Sequence, residues 1–230
     1  MTMTLSKPMH IYLADLVHDY VPGNYVVPLN IGLVGSYLKH NFGTEVDVRL
    51  FKSPGTLIEA LRKEAAPHIL AFSNYSWNQE LNASVARKAR KLFPDVIIVG
   101  GGPHIRTTPQ GIAEHLQRHR EVDYYCMFEG EYPMGRLVQH FLEKGGLLRG
   151  NDCDKTLVSV AYLNQDRLIY SPPETQKRDI LDIPSPYLNG MLDDYLSSPQ
   201  WVPLFETNRG CPFHCTFCVW GIAAMDKVRV

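Results

Sequence analysis

From its N-terminus to about residue 145, the chain alternates short apolar runs with longer stretches in which apolar residues recur every three or four positions. The short runs fall at residues 10–16, 45–51, 68–73, 96–99 and 122–127. All five are mostly apolar, as strands buried on both faces must be. The amphipathic stretches cover residues 29–40, 56–65, 79–93, 109–120 and 132–143, with Pro67 and Pro94 as helix stops. Strict alternation of five strands and five helices predicts an α/β fold. The expected form is a flavodoxin-like (Rossmann-type) five-stranded parallel sheet with right-handed crossovers and strand order 2-1-3-4-5.

The pattern changes after residue 145. Residues 156–163 and 167–170 alternate on either side of Asn164-Gln165-Asp166, which predicts a β-hairpin, and residues 171–182 are rich in proline and charge, as a linker is. The resulting division is an α/β domain over residues 1–148, a hairpin and interdomain linker over 149–200, and a further unit beginning at 201.

Composition narrows the class without naming a function. With 45% hydrophobic and 20% charged residues and a net charge of -1, the 230-residue chain has an ordinary globular make-up and no basic footprint for nucleic acid. The cluster Arg87, Lys88, Arg90 and Lys91 lies on one helical stretch and reads as a solvated face. No apolar run is long enough to span a bilayer, and Asp15 interrupts the only hydrophobic stretch near the N-terminus. Neither a nucleic-acid nor a membrane partner is expected, and the expected location is the cytoplasm. Five cysteines, three of them clustered, suit a reducing compartment, with Cys126 and Cys153 as small buried residues.

Ligands of doubly wound sheets bind beyond the C-terminal ends of the strands. The loops to consider are therefore residues 15–25, 74–78, 100–107 and 128–131, all polar or glycine-rich. Gly100-Gly101-Gly102-Pro103-His104 would let backbone approach a ligand closely, or would simply make a tight turn. It is not a dinucleotide fingerprint, because the third glycine position is Ile105 and the run follows the fourth strand. Glu129 and Glu131 precede Tyr132-Pro133, where acids complement a helix N-terminus.

The densest chemical signal is Cys211-Pro-Phe-His-Cys215-Thr-Phe-Cys218, just after the apolar segment 201–205. Separations of four and three residues let one loop aim three thiolates at one centre, as an iron–sulfur cluster requires. In a four-iron centre, three thiolates leave one iron open to substrate. A zinc knuckle or a group of buried thiols are the alternatives, but no second ligand pair follows. His214 lies inside the loop and is not counted among the ligands.

The stretch 207–218 resembles the cluster loop of the radical S-adenosylmethionine (radical SAM) enzymes, including the aromatic Phe217 before the last cysteine. The resemblance implies that Cys211, Cys215 and Cys218 hold a 4Fe-4S cluster and that S-adenosyl-L-methionine chelates its fourth iron for cleavage to a 5′-deoxyadenosyl radical. An electron donor such as flavodoxin or ferredoxin and a small-molecule, natural-product-like substrate go with that chemistry. Residues 73–78, 93–104 and 122–131 are similar to the cobalamin-binding (B12-binding) domain found N-terminally in many radical SAM proteins. That similarity implies cobalamin neighbours at Ser73, Asn74, Ser76, Gly101, Gly102, His104 and Glu129.

One departure concerns the cobalt ligand. Domains that supply a histidine carry Asp-x-His-x-x-Gly after the first strand, whereas this chain reads Asp15-Leu-Val-His18 and lacks the glycine. His18 is therefore given no cobalt-ligating role, and the resemblance then permits base-off binding without histidine or a domain that has lost cobalamin altogether. Residues 181–187 resemble the segment before the catalytic barrel, and residues 201–206 its first strand. A barrel needs more β/α units than follow Cys218, so the chain is expected to be the N-terminal part of a longer enzyme and inactive alone. The resemblance implies methyl transfer to, or radical rearrangement of, an unactivated carbon. A non-catalytic corrinoid-binding or metal-binding module is the reading from another class.

Overall fold

The computed structural model describes residues 8–19, 25–150, 153, 156–172, 180–213 and 215–217. Five β/α units run in order: β1 (Met9–Ala14), α1 (Leu29–Phe42), β2 (Val46–Phe51), α2 (Pro54–Lys63), β3 (Ile69–Ser73), α3 (Gln79–Leu92), β4 (Ile97–Gly101), α4 (Pro109–Arg118), β5 (Tyr124–Cys126) and α5 (Glu131–Lys144). Local chemistry sets several of these ends. Ser53 and Thr108 accept the backbone N–H groups of Gly55 and Gly111, with Pro54 and Pro109 opening α2 and α4. Gly145, at φ 69°, closes α5 in the left-handed conformation.

The five parallel strands follow the expected order, β2-β1-β3-β4-β5. Alternate residues feed two separate cores, because successive side chains of a strand point to opposite faces. Ile11, Leu13, Ile69, Ile97 and Val99 pack with α1 and with Leu137, Val138 and Phe141 of α5. Tyr12, Leu70, Phe72 and Ile98 pack with Leu57 and Leu61 of α2 and Val85, Ala86 and Ala89 of α3. Cys126 and Cys153 are buried, as expected, and burial pushes the Cys126 thiol up to about 12.

Two expectations change. The hairpin does not lie apart from the sheet: β6 (Val160–Asn164) pairs antiparallel with β5, and β7 (Arg167–Tyr170) completes a seven-stranded sheet. Without it the three-residue β5 would be a bare edge. Val160 and Ala161 are instead fully buried against it. The hairpin turn has Gln165 and Asp166 at φ 47° and 66°, both positive as a tight two-residue turn demands.

Residues 201–206, expected as a strand, form none: Val202 makes a single bridge to Val26, and Leu204 and Phe205 stand exposed. A strand is defined by its partners, and among the described residues only that bridge pairs this segment. The segment before it is firmly docked. Leu192 is fully buried against Val27 and Leu29. A Cβ on Gly32 would come within 3.1 Å of Leu192 Cδ2, so this glycine of α1 admits the segment. Tyr195, following Leu192 into α6 (Asp193–Leu196), donates its hydroxyl to the Leu50 carbonyl at 3.1 Å. No helix among the described residues is long and apolar enough to cross a membrane.

Candidate functional site

The C-terminal ends of the parallel strands carry the loops singled out by the sequence. Ser73 and Gly101 are register partners at the ends of β3 and β4. Strand alternation puts both on the face that α1 and α5 cover, the face reached from Ile97 and Val99 by steps of two. Asn30, in the first turn of α1, donates to the Ser73 hydroxyl at 3.0 Å and to the Tyr75 hydroxyl at 3.2 Å. Burial and the nearby Asp15 keep the Tyr75 phenol above its ordinary pKa, so it stays protonated as a donor.

The three consecutive glycines have three different reasons. At Gly100 a Cβ would meet the Tyr125 ring at 2.7 Å, and at Gly102, where φ is 90°, it would meet the Asn74 carbonyl oxygen at 2.6 Å. Packing and backbone conformation require glycine at these two places. Gly101 is different: a Cβ there would find nothing nearer than the Cys126 carbonyl oxygen at 3.6 Å, and its φ is not positive. The fold itself does not need glycine at 101. A missing Cβ on the crevice face, opposite a serine hydroxyl, is a cradle for a flat or bulky ligand to fill.

The other expected neighbours divide into two groups. Asn74 is buried and turned inward, where its side-chain oxygen accepts from Asn82 at 2.8 Å, while its backbone N–H donates to the Gly101 carbonyl at 2.7 Å. Asn74 therefore shapes the glycine loop from beneath and offers no side chain to the crevice. Tyr125 does similar work, its hydroxyl donating to the carbonyls of Gly101 and Gly102 at 3.0 and 2.9 Å. Ser76 and His104 are exposed on the rim, and Glu129 is half-buried after Phe128, whose φ of 63° is unusual for a bulky residue. Strain of this kind concentrates at functional loops.

The cysteine loop reaches the same rim. Glu131, the first residue of α5, is 3% exposed and accepts from Arg209 Nη2 at 2.7 Å. Arg209 Nε also donates to Glu206 at 2.9 Å. Cys211 follows two residues later, so its Cα lies within about 7 Å of that of Arg209. Cys211 is half-buried and Cys215 exposed, whereas Cys218 and His214 lie outside the described residues. Glu131 does stand at a helix N-terminus, as its position suggested, but its partner is an arginine seventy-eight residues on.

Sequence reasoning missed Asn30, Tyr75, Trp77 and Lys52. Trp77 is 60% exposed in the loop after β3 and stacks on Tyr75 at 4.6 Å between ring centroids, which leaves a flat aromatic face at the lip. An aromatic pair two residues apart in an otherwise polar loop was the available signal. Lys52 Nζ donates to Asp15 at the ends of β2 and β1. His18 contacts the Trp77 carbonyl oxygen at 3.1 Å and is not held by Asp15.

Known proteins resemble the chain over most of its length. Over 218 residues the chain is 31% identical to the cobalamin-dependent radical SAM methyltransferase TokK of Streptomyces tokunonensis. Over 219 residues it is 31% identical to the 2-(S-pantetheinyl)-carbapenam-3-carboxylate methyltransferase of Streptantibioticus cattleyicolor. These matches take in 88% and 89% of the chain but only 30% of either relative. Among solved structures, the cobalamin-dependent S-adenosylmethionine radical enzyme OxsB with aqua-cobalamin and S-adenosylmethionine bound superposes at TM-score 0.61 and 19% identity. That match covers 93% of this chain and 28% of OxsB. It establishes the likeness of fold. The B12 binding domain family matches residues 20–138, more than half of the sequence, and the chain belongs to that family.

Proposed function

We propose that the chain is the cobalamin-holding part of a cobalamin-dependent radical SAM methyltransferase, in which the cysteine loop of residues 211–218 brings a 4Fe-4S cluster to the strand-end crevice. The observation that carries this reading is Gly101, a glycine the fold does not require, opposite Ser73 on the crevice face. The methyltransferase names of the two curated relatives support methyl transfer over rearrangement. When bound, the corrinoid supplies a transferable methyl group, and the cluster with S-adenosyl-L-methionine supplies one-electron chemistry at an unactivated carbon.

This chain's own residues hold and orient. Ser73 and Asn30 line the cradle with hydroxyl and amide groups, and Gly101 leaves room at its floor. Asn74 and Tyr125 fix the carbonyls of the glycine loop, so the cradle is formed before any ligand arrives. Ser76, His104 and Glu129 supply rim contacts, and Trp77 offers an aromatic wall. Cys211, Cys215 and Cys218 are the cluster ligands in this reading. A small, natural-product-like substrate and a flavodoxin or ferredoxin donor complete it, in a cytoplasm that keeps the thiols reduced.

The test is anaerobic incubation with hydroxocobalamin, desalting and an absorption spectrum. Retained corrin in the base-off form is the expected result. Loss of all corrin from a folded sample overturns the cobalamin reading. Acid-labile sulfide is expected alongside iron after reconstitution, and stoichiometric zinc without sulfide would point instead to a non-catalytic metal-binding module.

A further inference from the structure

We infer that Arg209 is a positioning residue: pinned between Glu131 and Glu206, its guanidinium latches the cysteine loop to the N-terminus of α5 and so fixes where Cys211 stands relative to the crevice. The inference rests on the cofactor reading above for its purpose, but not for its geometry.

Three observations carry it. Arg209 and Glu131 are 2.7 Å apart with side chains 11% and 4% exposed, so the pair is largely out of water. The two carboxylates take different nitrogens of the planar fork, Nη2 and Nε, which fixes its orientation as well as its place. Finally, residues 203–208 form no helix or strand and their side chains are exposed; Tyr187 holds this segment at Leu204 and Phe205, and beyond those contacts Arg209 is the anchor nearest Cys211 among the described residues.

The geometry also explains the choice of residues. A lysine is a point charge and would reach one carboxylate well but not grip two in a fixed plane. Glu131 stands in the first turn of α5, where the helix dipole favours a negative charge. A carboxylate thus held on α5 is a rigid anchor, because α5 is buried against the sheet through Leu137, Val138 and Phe141.

Trypsin reads the latch directly, since it cuts after Arg209 only when that side chain leaves its site. In the full 230-residue chain, the Arg209–Gly210 bond is expected to resist trypsin, and Glu131→Gln to speed its cleavage by about tenfold or more, as one-sided loss of a buried pair implies. Cleavage after the exposed Lys88 should stay unchanged. Arg209→Lys, still a tryptic site, should fall between the two. Equal acceleration at every site, or none at Arg209, overturns the proposal. If Glu131→Gln does not fold, Glu206→Gln decides the matter, because Glu206 is 38% exposed and its loss strands no buried partner. A several-fold rise in cleavage at Arg209 alone is expected there, and no rise overturns the latch.

A spectroscopic arm separates positioning from simple stability. With cob(II)alamin bound and the reconstituted cluster reduced, pulsed EPR should give one narrow spin–spin distance in the parent chain. A broad distribution is expected in Glu131→Gln, with Arg209→Lys partly restoring the narrow one. An unchanged distribution overturns the positioning role. A sample that retains no corrin refutes the cofactor reading instead, and the tryptic arm then decides the latch alone.

Discussion

Lys52 Nζ lies 2.6 Å from Asp15 Oδ2, with the two side chains only 10% and 9% exposed. This pair includes the aspartate that stands where a histidine-supplying domain begins its Asp-x-His-x-x-Gly motif. Here the carboxylate is already matched by an ammonium, and the nearby His18 turns to the Trp77 carbonyl. Bound cobalamin is accordingly expected in the base-off form without histidine ligation. His18→Ala should leave the corrin spectrum and the amount retained unchanged, and a shifted spectrum in that variant would show that His18 reaches cobalt.

The same pair makes a stability prediction. Replacing Lys52 by Met strands a carboxylate in a nearly dry site, at a cost of about 3–5 kcal/mol. Removing both charges together, as in Asp15→Leu with Lys52→Met, should cost far less, because well-packed apolar residues often replace a buried pair at little penalty. Urea midpoints of the three proteins check this. A single variant as stable as the parent would mean that water reaches Asp15.

Stability should also fall on mild acidification. Burial holds the His115 imidazole down to about 4, with His119, His104 and Arg118 adding repulsion. Burial and then His10 likewise lower His68, whose Nδ1 accepts the His10 backbone N–H at 2.9 Å. Both groups bind protons more readily unfolded than folded. Their contribution is therefore complete above the unfolded value near 6.5 and is lost as pH falls below it, for His115 progressively toward about 4. Denaturation midpoints at pH 7.5 and 5 should differ in that direction, and His115→Leu should flatten the dependence. An equal slope in the variant would place the sensitivity elsewhere.

The parallel strands and all five helices were legible because each obeys a local period, and their observed ends lie within two residues or so of the expected ones. What escaped was long-range. The β6 strand was visible as half of a hairpin, but its pairing with β5 joins residues such as Cys126 and Val160 that no local pattern links. Asp15 and Lys52 are 37 positions apart, and Glu131 and Arg209 are 78. Each is an unremarkable charge on its own, and only folding reveals a pair. Asn74 looked like a crevice side chain because its loop is one, yet its orientation depends on Asn82 one helix turn into α3.

The glycine run is the sharpest case of that limit, and it yields the most discriminating prediction. Three identical letters in sequence become one residue pressed by Tyr125, one free of any close neighbour, and one at positive φ against the Asn74 backbone. Gly102→Ala should destabilise the chain by about 1–3 kcal/mol, since both its φ and the Asn74 backbone oppose a Cβ. Gly100→Ala should also destabilise, because the buried Tyr125 ring must shift to admit the methyl group. Gly101→Ala should leave stability level or raise it by up to about 1 kcal/mol, by restricting the unfolded chain. If Gly101 is the floor of the cobalamin cradle, that same neutral substitution should weaken corrin retention at least about tenfold, because the methyl group occupies ligand space. Thermal melts paired with cobalamin titrations separate the outcomes. Full corrin binding by a stable Gly101→Ala protein would mean that the ligand approaches from another side of the crevice.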